Sequence, residues 1–390
     1  MLTKLLDWLS SMRLTVWCLC AAMILVFVGT LAQVEHGLYR AQKEYFQSFI
    51  VFSSLTVHFF GKKFILPVIL PGGYLIGGIL VLNLLFSQFR AGNIVPRKIG
   101  LYLVHGGLIL LLLGQLITDM FQRETHMRLV EGHASNYSES AFYHELAIID
   151  SSHPEHDTVI AIPEQLLATR SHVSHPALPF TLHIRKYFPN SRLANREPND
   201  TSEPPATQGF GTTLAVREVP LATRSDEKNL PSAIIEFSGE GAPKGTWLVS
   251  TLMNQPQTFT HAGKEWKLLF RPVRVYKPFS IELIKFTHEK YPGTEIPKNF
   301  ASRVRVINHQ TGENREVLIY MNNPLRYGGQ TFYQGSYDPN DPRVSILQVV
   351  RNPGWLTPYI ACLLVGLGLT LHFMLTLFNF TRAQRNGGAQ

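Results

Sequence analysis

Apolar runs as long as a bilayer is thick leave a chain little choice of solvent. This sequence has them near residues 14–32 (LTVWCLCAAMILVFVGTLA), 70–89 (LPGGYLIGGILVLNLLFSQF), 100–120 (GLYLVHGGLILLLLGQLITDM) and 355–378 (WLTPYIACLLVGLGLTLHFMLTLF). A helix of about 20 residues, rising ~1.5 Å per residue, crosses a hydrocarbon core of about 30 Å. The expected fold class is therefore membrane α-helical, with four transmembrane helices, plus a large extracytoplasmic all-β domain inserted between the third and the fourth. The first run exceeds the 7–15 apolar residues of a signal peptide and lacks a small-x-small cleavage site, so it reads as a span. A shorter patch, FIVFSSLTVHFF at 49–60, is too short to span and reads as a re-entrant or interfacial piece.

Basic residues beside spans resist translocation and so set orientation. With both termini inside, the cytoplasmic pieces hold Lys4, Arg13, Arg90, Arg97, Lys98, Arg382 and Arg385 against a single acid, Asp7, so most of the formal charge of +8 lies there. The basicity is a topology signal and gives no support to nucleic-acid binding. Lys62 and Lys63 run against this orientation; the other loops agree with it. The domain division that follows is a membrane part at 1–120, a β-rich domain at 121–354, and a fourth span with a cytoplasmic tail at 355–390.

Within 121–354, short alternating runs rich in Val, Ile, Thr, Phe and Tyr (FTLHIRKYF, SAIIEFSG, IELIKF, SRVRVINH, REVLIYM) read as strands. HQTGEN at 309–314 supplies hairpin chemistry between two of them. Residues 189–232 lack periodicity and read as a long loop or flexible insertion. The three cysteines, Cys18, Cys20 and Cys362, all fall inside apolar runs, which leaves the polar part without a disulfide framework, a C-x-x-C pair or a C-x-x-C-H haem attachment site. No H-E-x-x-H, Walker A or G-x-S-x-G pattern occurs.

An ionisable side chain in hydrocarbon is costly and is read first as functional. His105, five residues from the inner end of the third span, and His372, six from that of the fourth, fall at similar depth. Two neutral imidazoles so placed suit axial ligation of a haem iron, and Gly106 and Gly107 leave room beside His105 for a flat ligand. Either histidine can equally hydrogen-bond a neighbouring helix or reach toward the headgroups. The pairs His153/His156 and His172/His175 sit in polar segments containing or bordering proline and read as solvated loop histidines. MNNPLRYGGQTFYQGSY alternates aromatic and amide residues. Asn322, Tyr327, Phe332, Tyr333 and Tyr337 would either present a surface for an extended peptide or close the β core around a turn.

Two stretches, KYPGTEIPKNFASRVRVIN (290–308) and IYMNNPLRYGGQTFYQGSYDPNDP (319–342), carry a more specific signal. Together with SSMRLTVW and VGTLAQ at the first span and LQVVRNPGWLTPYIACLLVGLGL entering the last, they resemble the ResB (CcsB) family of cytochrome c biogenesis, the membrane subunits of the System II pathway. The resemblance covers both ends of the chain and the order of the spans, with no family motif between about 150 and 280. It implies a multi-pass protein of the bacterial cytoplasmic (inner) membrane, with its large domain on the periplasmic side. Such a protein works with a CcsA/ResC-type subunit to move haem b outward and present it to apocytochrome c, and thiol-reducing proteins of the same pathway are further partners. The resemblance makes His105 this chain's contribution to a haem site completed by the partner, which leaves His372 as a structural or alternative residue. The tryptophan-rich segment that presents haem has no counterpart, since Trp8, Trp17, Trp247, Trp266 and Trp355 are scattered. No catalytic residue is assigned, so the chain is expected to be a non-catalytic subunit. A b-type haem electron carrier and a membrane-anchored scaffold without a haem site stand as alternatives.

Overall fold

A computed structural model describes residues 2–59, 62–89, 95–154, 156–196, 206–222, 228–290, 292–293 and 297–387. Two units separate: a helical one drawn from the chain up to Arg123 and from Asn352 onward, and a β unit between Glu124 and Arg351.

In the helical unit a short helix, Leu2–Leu9, stops at two serines. Ser11 then caps the helix Met12–Ala41, its hydroxyl accepting from the Leu14 N–H at 3.2 Å. Asn83, 2% exposed on the helix Gly73–Phe89, pins this break: its amide donates to the Leu9 and Ser11 carbonyls at 2.6 and 3.1 Å and accepts from the Thr15 hydroxyl at 2.7 Å. These partners satisfy helix-end groups that hydrocarbon cannot. Gly37, at φ 73°, interrupts helical geometry toward the end of Met12–Ala41.

Among the described residues, three helical stretches are long and apolar enough to cross a membrane: Met12–Val34, Ile99–Phe121 and Thr357–Arg382. The expected second span falls short. Its helix, Gly73–Phe89, has 17 residues, about 25 Å at 1.5 Å per residue, because residues 70 and 71 belong to a preceding strand. That strand, Lys62–Pro71, pairs antiparallel with Ile50–Phe59, so the patch read as re-entrant is one arm of a β-hairpin. The flanking Arg90 lies outside the described residues.

Helices Ile99–Phe121 and Thr357–Gly387 pack antiparallel along glycines seven residues apart. Gly100, Gly107 and Gly114 are all buried. A Cβ at Gly100 would stand 2.6 Å from both the Gly368 carbonyl oxygen and the His372 backbone nitrogen, and one at Gly107 would stand 2.6 Å from a Val365 methyl. A Cβ at Gly114 would collide with Thr357. Small residues at this period let two backbones approach where no hydrophobic force drives them together.

The β unit is built on one strand of 27 residues, Lys264–Lys290. It pairs antiparallel in succession with Gln257–His261, Ala134–Asp150 and Pro297–Asn308. The ladder runs on through Arg123–Val130, Asp341–Arg351, Gln330–Asp338 and Leu325–Tyr327 on one side and through Glu313–Tyr320 on the other. A second, four-stranded sheet contains Thr181–Phe188, Ser232–Ser238 and Thr246–Ser250. Two apolar clusters result. Leu146, Ile148, Ile235, Trp247, Trp266 and Phe270 belong to one, and Met127, Phe279, Ile281, Val304, Phe332 and Val349 to the other. The long strand feeds both, its first half supplying Trp266, Leu268 and Phe270 and its second Phe279, Ile281 and Leu283.

The expected strands all form, and HQTGEN joins Pro297–Asn308 to Glu313–Tyr320, with Gly312 at φ 68° in the turn. The stretch 189–232, read as a loop, is more ordered than its composition suggests. Within it Ser191–Asn195 pairs with Leu214–Glu218, and Ser191 donates to the Leu230 carbonyl at 2.9 Å. Residues 197–205 and 223–227 lie outside the description.

Candidate functional site

His105 is half-buried on the helix Ile99–Phe121, and its Nδ1 lies 2.5 Å from the Gln88 side-chain amide nitrogen, near the end of Gly73–Phe89. The contact fixes the ring. An amide N–H donating to Nδ1 leaves the proton on Nε2; the amide turned over, with its oxygen accepting from Nδ1–H, leaves an Nε2 lone pair free for a metal. One helical turn before His105, the Tyr102 hydroxyl is buried without a hydrogen-bond partner among the described residues. Beside it, a Cβ at Gly106 would meet nothing within 4 Å. An imidazole held at one nitrogen, a bare glycine face and an orphaned hydroxyl fit a flat, apolar metal complex with a polar edge.

His372 is placed differently. Its backbone nitrogen and Cβ form the seat of Gly100, its carbonyl accepts from the Thr376 hydroxyl at 2.8 Å, and its ring meets Phe373 edge-on at 5.9 Å. At ~100° per residue His105 projects about 140° round its helix from Gly100, away from that seam. Because the Gly100 position faces the His372 backbone, His372 lies level with Gly100, about 7–8 Å along the helix axis from His105 at ~1.5 Å per residue, rather than at the similar depth expected, and the two histidines have different neighbours. The space read beside Gly107 is filled by Val365 and Ala361; that beside Gly106 is open. Sequence reasoning missed Gln88. The available signal was an uncharged amide inside an apolar run, which a search limited to ionisable residues passes over.

In the β unit, RYGGQ forms a two-residue hairpin: Tyr327 pairs with Gln330 across Gly328 and Gly329, at φ 57° and 70°. Positive φ at both central positions is what that turn requires. Asn322, at φ 63°, shapes the preceding turn. Phe332 is fully buried, and Tyr327 packs edge-on against Phe279 at 4.7 Å with its hydroxyl donating to Glu313 at 2.6 Å. These two close the core, so the reading of them as a presented surface is corrected: alternation along the strand points Phe332 inward. Tyr337 joins a ring cluster with His288 and Phe300 at 4.3 and 5.5 Å. Tyr333 and Asn322 remain exposed. Lys277, 5% exposed, donates to Ser138 Oγ at 3.0 Å and Gln330 Oε1 at 2.8 Å and pairs with no carboxylate among the described residues, and burial pushes its ammonium down to about 8. The rings of His153 and His156 lie 3.8 Å apart in an exposed loop, and no group of three or more potential metal ligands occurs among the described residues.

Residues 245–346 match the model of the ResB-like family. A curated relative, Protein NrfI of Wolinella succinogenes, is 36% identical over 102 residues, which is 26% of this chain and 11% of NrfI. Both matches make this stretch similar to the ResB-like family of cytochrome c biogenesis proteins. The ResB-like segment begins at 245, well before the motifs at 290–308 and 319–342, and takes in the whole of the long strand together with the hairpin that follows it. It contains neither His105 nor His372. The chain spans about a tenth of the length of NrfI.

Proposed function

We propose that this chain takes part in cytochrome c maturation as the haem-handling and scaffolding subunit of a System II synthase. In that role it holds haem b transiently in the membrane and delivers it, with a CcsA/ResC-type subunit, to apocytochrome c. The similarity of residues 245–346 to the ResB-like family supports the pathway. The observation that carries the haem role is the imidazole of His105, tethered at Nδ1 by Gln88 beside the open face of Gly106. Haem when bound supplies the iron and the vinyl groups that apocytochrome thiols require. The chain's own part is to orient one ligand, to keep the second position for a partner residue, and to exclude water by helix packing. The different neighbours of His105 and His372 do not favour an electron carrier that holds haem between these two side chains.

The test is the visible absorption spectrum of the purified chain, with and without a coexpressed CcsA-type protein, for wild type, His105→Ala and His372→Ala. The expected result is a haem b signal that needs the partner, disappears with His105→Ala and survives His372→Ala. Haem retained by the lone chain through both histidines would establish the carrier reading, and absence of haem from every form would leave the scaffold.

A further inference from the structure

A large cleft of the helical unit does not involve His105. It is about 1120 Å³ and lies between the helices Met12–Ala41, Gly73–Phe89 and Ile99–Phe121, toward the C-terminal end of the last. Ligand pockets usually span about 300–1,000 Å³, so this one has room for a long molecule. One wall is glycine: Gly77 and Gly78 line it, and a Cβ at either would meet nothing within 4 Å. Leu82, Leu113 and Met120, all exposed, open the cleft toward whatever surrounds the helices.

The other character is polar and uncharged except for one acid. Asp119 accepts from the Gln115 amide at 2.8 Å and from Gln47, which leaves lone pairs of its carboxylate unused. Gln33 and Gln42 also line the cleft, and their amides have no hydrogen-bond partner among the described residues. Among the described residues, no Lys, Arg or His lines it. A phosphate head would therefore meet a carboxylate and find no counter-charge. Hydroxyl and carbonyl oxygens without net negative charge match a lining in which Asp119 accepts and the amides donate.

We propose that this cleft binds a neutral hydroxylated lipid, with its head among Gln33, Gln42 and Asp119 and its tail along Gly77 and Gly78. A membrane quinol and a diacylglycerol share that chemistry. The full chain, purified from membranes, is extracted and its lipids are quantified by mass spectrometry. Purified protein is then titrated separately with a short-chain quinol and a short-chain diacylglycerol, and the arm that saturates names the source. The expected result is a neutral lipid stoichiometric with the chain, whose affinity falls about tenfold or more in Gly78→Phe, which fills the cleft, and in Asp119→Leu. Gly77→Leu is a second filling variant should Gly78→Phe lower the melting temperature. Phospholipid as the sole occupant, neutral lipid only in its bulk membrane proportion, or binding unchanged by both filling variants would overturn the proposal.

Discussion

A polar side chain inside an apolar helix is informative mainly through the partner it finds. Asn83 and Gln88 lie five residues apart on Gly73–Phe89. Asn83 satisfies the ends of two other helices, whereas Gln88 meets His105. If Gln88 orients the ligand, Gln88→Leu should keep the fold but weaken haem retention about 10–100-fold, the usual effect of losing a histidine's outer partner. Gln88→Glu should retain haem and shift its reduction potential downward, since a carboxylate makes the imidazole more basic. Haem titration and potentiometry on the partner complex would check both, and wild-type affinity in Gln88→Leu would remove Gln88 from the site. Lys277 gives a second expectation. The folded chain releases its proton near pH 8, while the unfolded chain holds it to about 10.5. The unfolded state therefore binds more protons between these values, and Lys277's contribution makes the β unit more stable as pH rises through that window. Melting of the full chain from pH 7.5 to 10.5 should show this rise in wild type and lose it in Lys277→Met; identical pH profiles would refute it.

At the scale of elements, much was legible because periodicity reports burial directly. Three spans and the strands of the β unit follow from runs and alternation in the sequence. What stayed hidden depended on pairing. Residues 49–71 look like the approach to a span, yet antiparallel partners turn them into a hairpin and shorten the next helix. Gly106 and Gly107 are equivalent as letters, and only the presence of the helix Thr357–Gly387 distinguishes them. Gly107→Leu should separate the two helices, costing about 1–3 kcal/mol as overpacking does, while Gly106→Leu should leave folding intact and interfere with ligand entry beside His105. Thermal melting in detergent, set against haem content, would separate the two effects. Equal loss of stability in both variants would contradict the packing described. His105 itself was legible as a polar residue in hydrocarbon, but Gln88, eleven residues outside its span, was not. Of the aromatic residues near the carboxyl end, Phe332 stood open in the sequence between surface and core, and only its strand's pairing places it inside while Tyr333 stays exposed.

At the scale of the whole chain, the two units have separate chemistry: one offers a tethered imidazole and a large cleft, the other a closed β core that leaves Phe142, Tyr143, Tyr276 and Tyr320 exposed. The long strand Lys264–Lys290 has a consequence for how such proteins are compared and cut. Residues 245–346 are the stretch that similarity detects, yet within them this strand pairs along most of its length with Ala134–Asp150, which lies more than a hundred residues earlier. Expressed alone, 245–346 should fail to give dispersed amide resonances, whereas 124–351 should give them. The segment recognisable by descent is thus smaller than the segment that folds, and boundaries drawn from similarity would sever a hydrogen-bonded ladder through its middle.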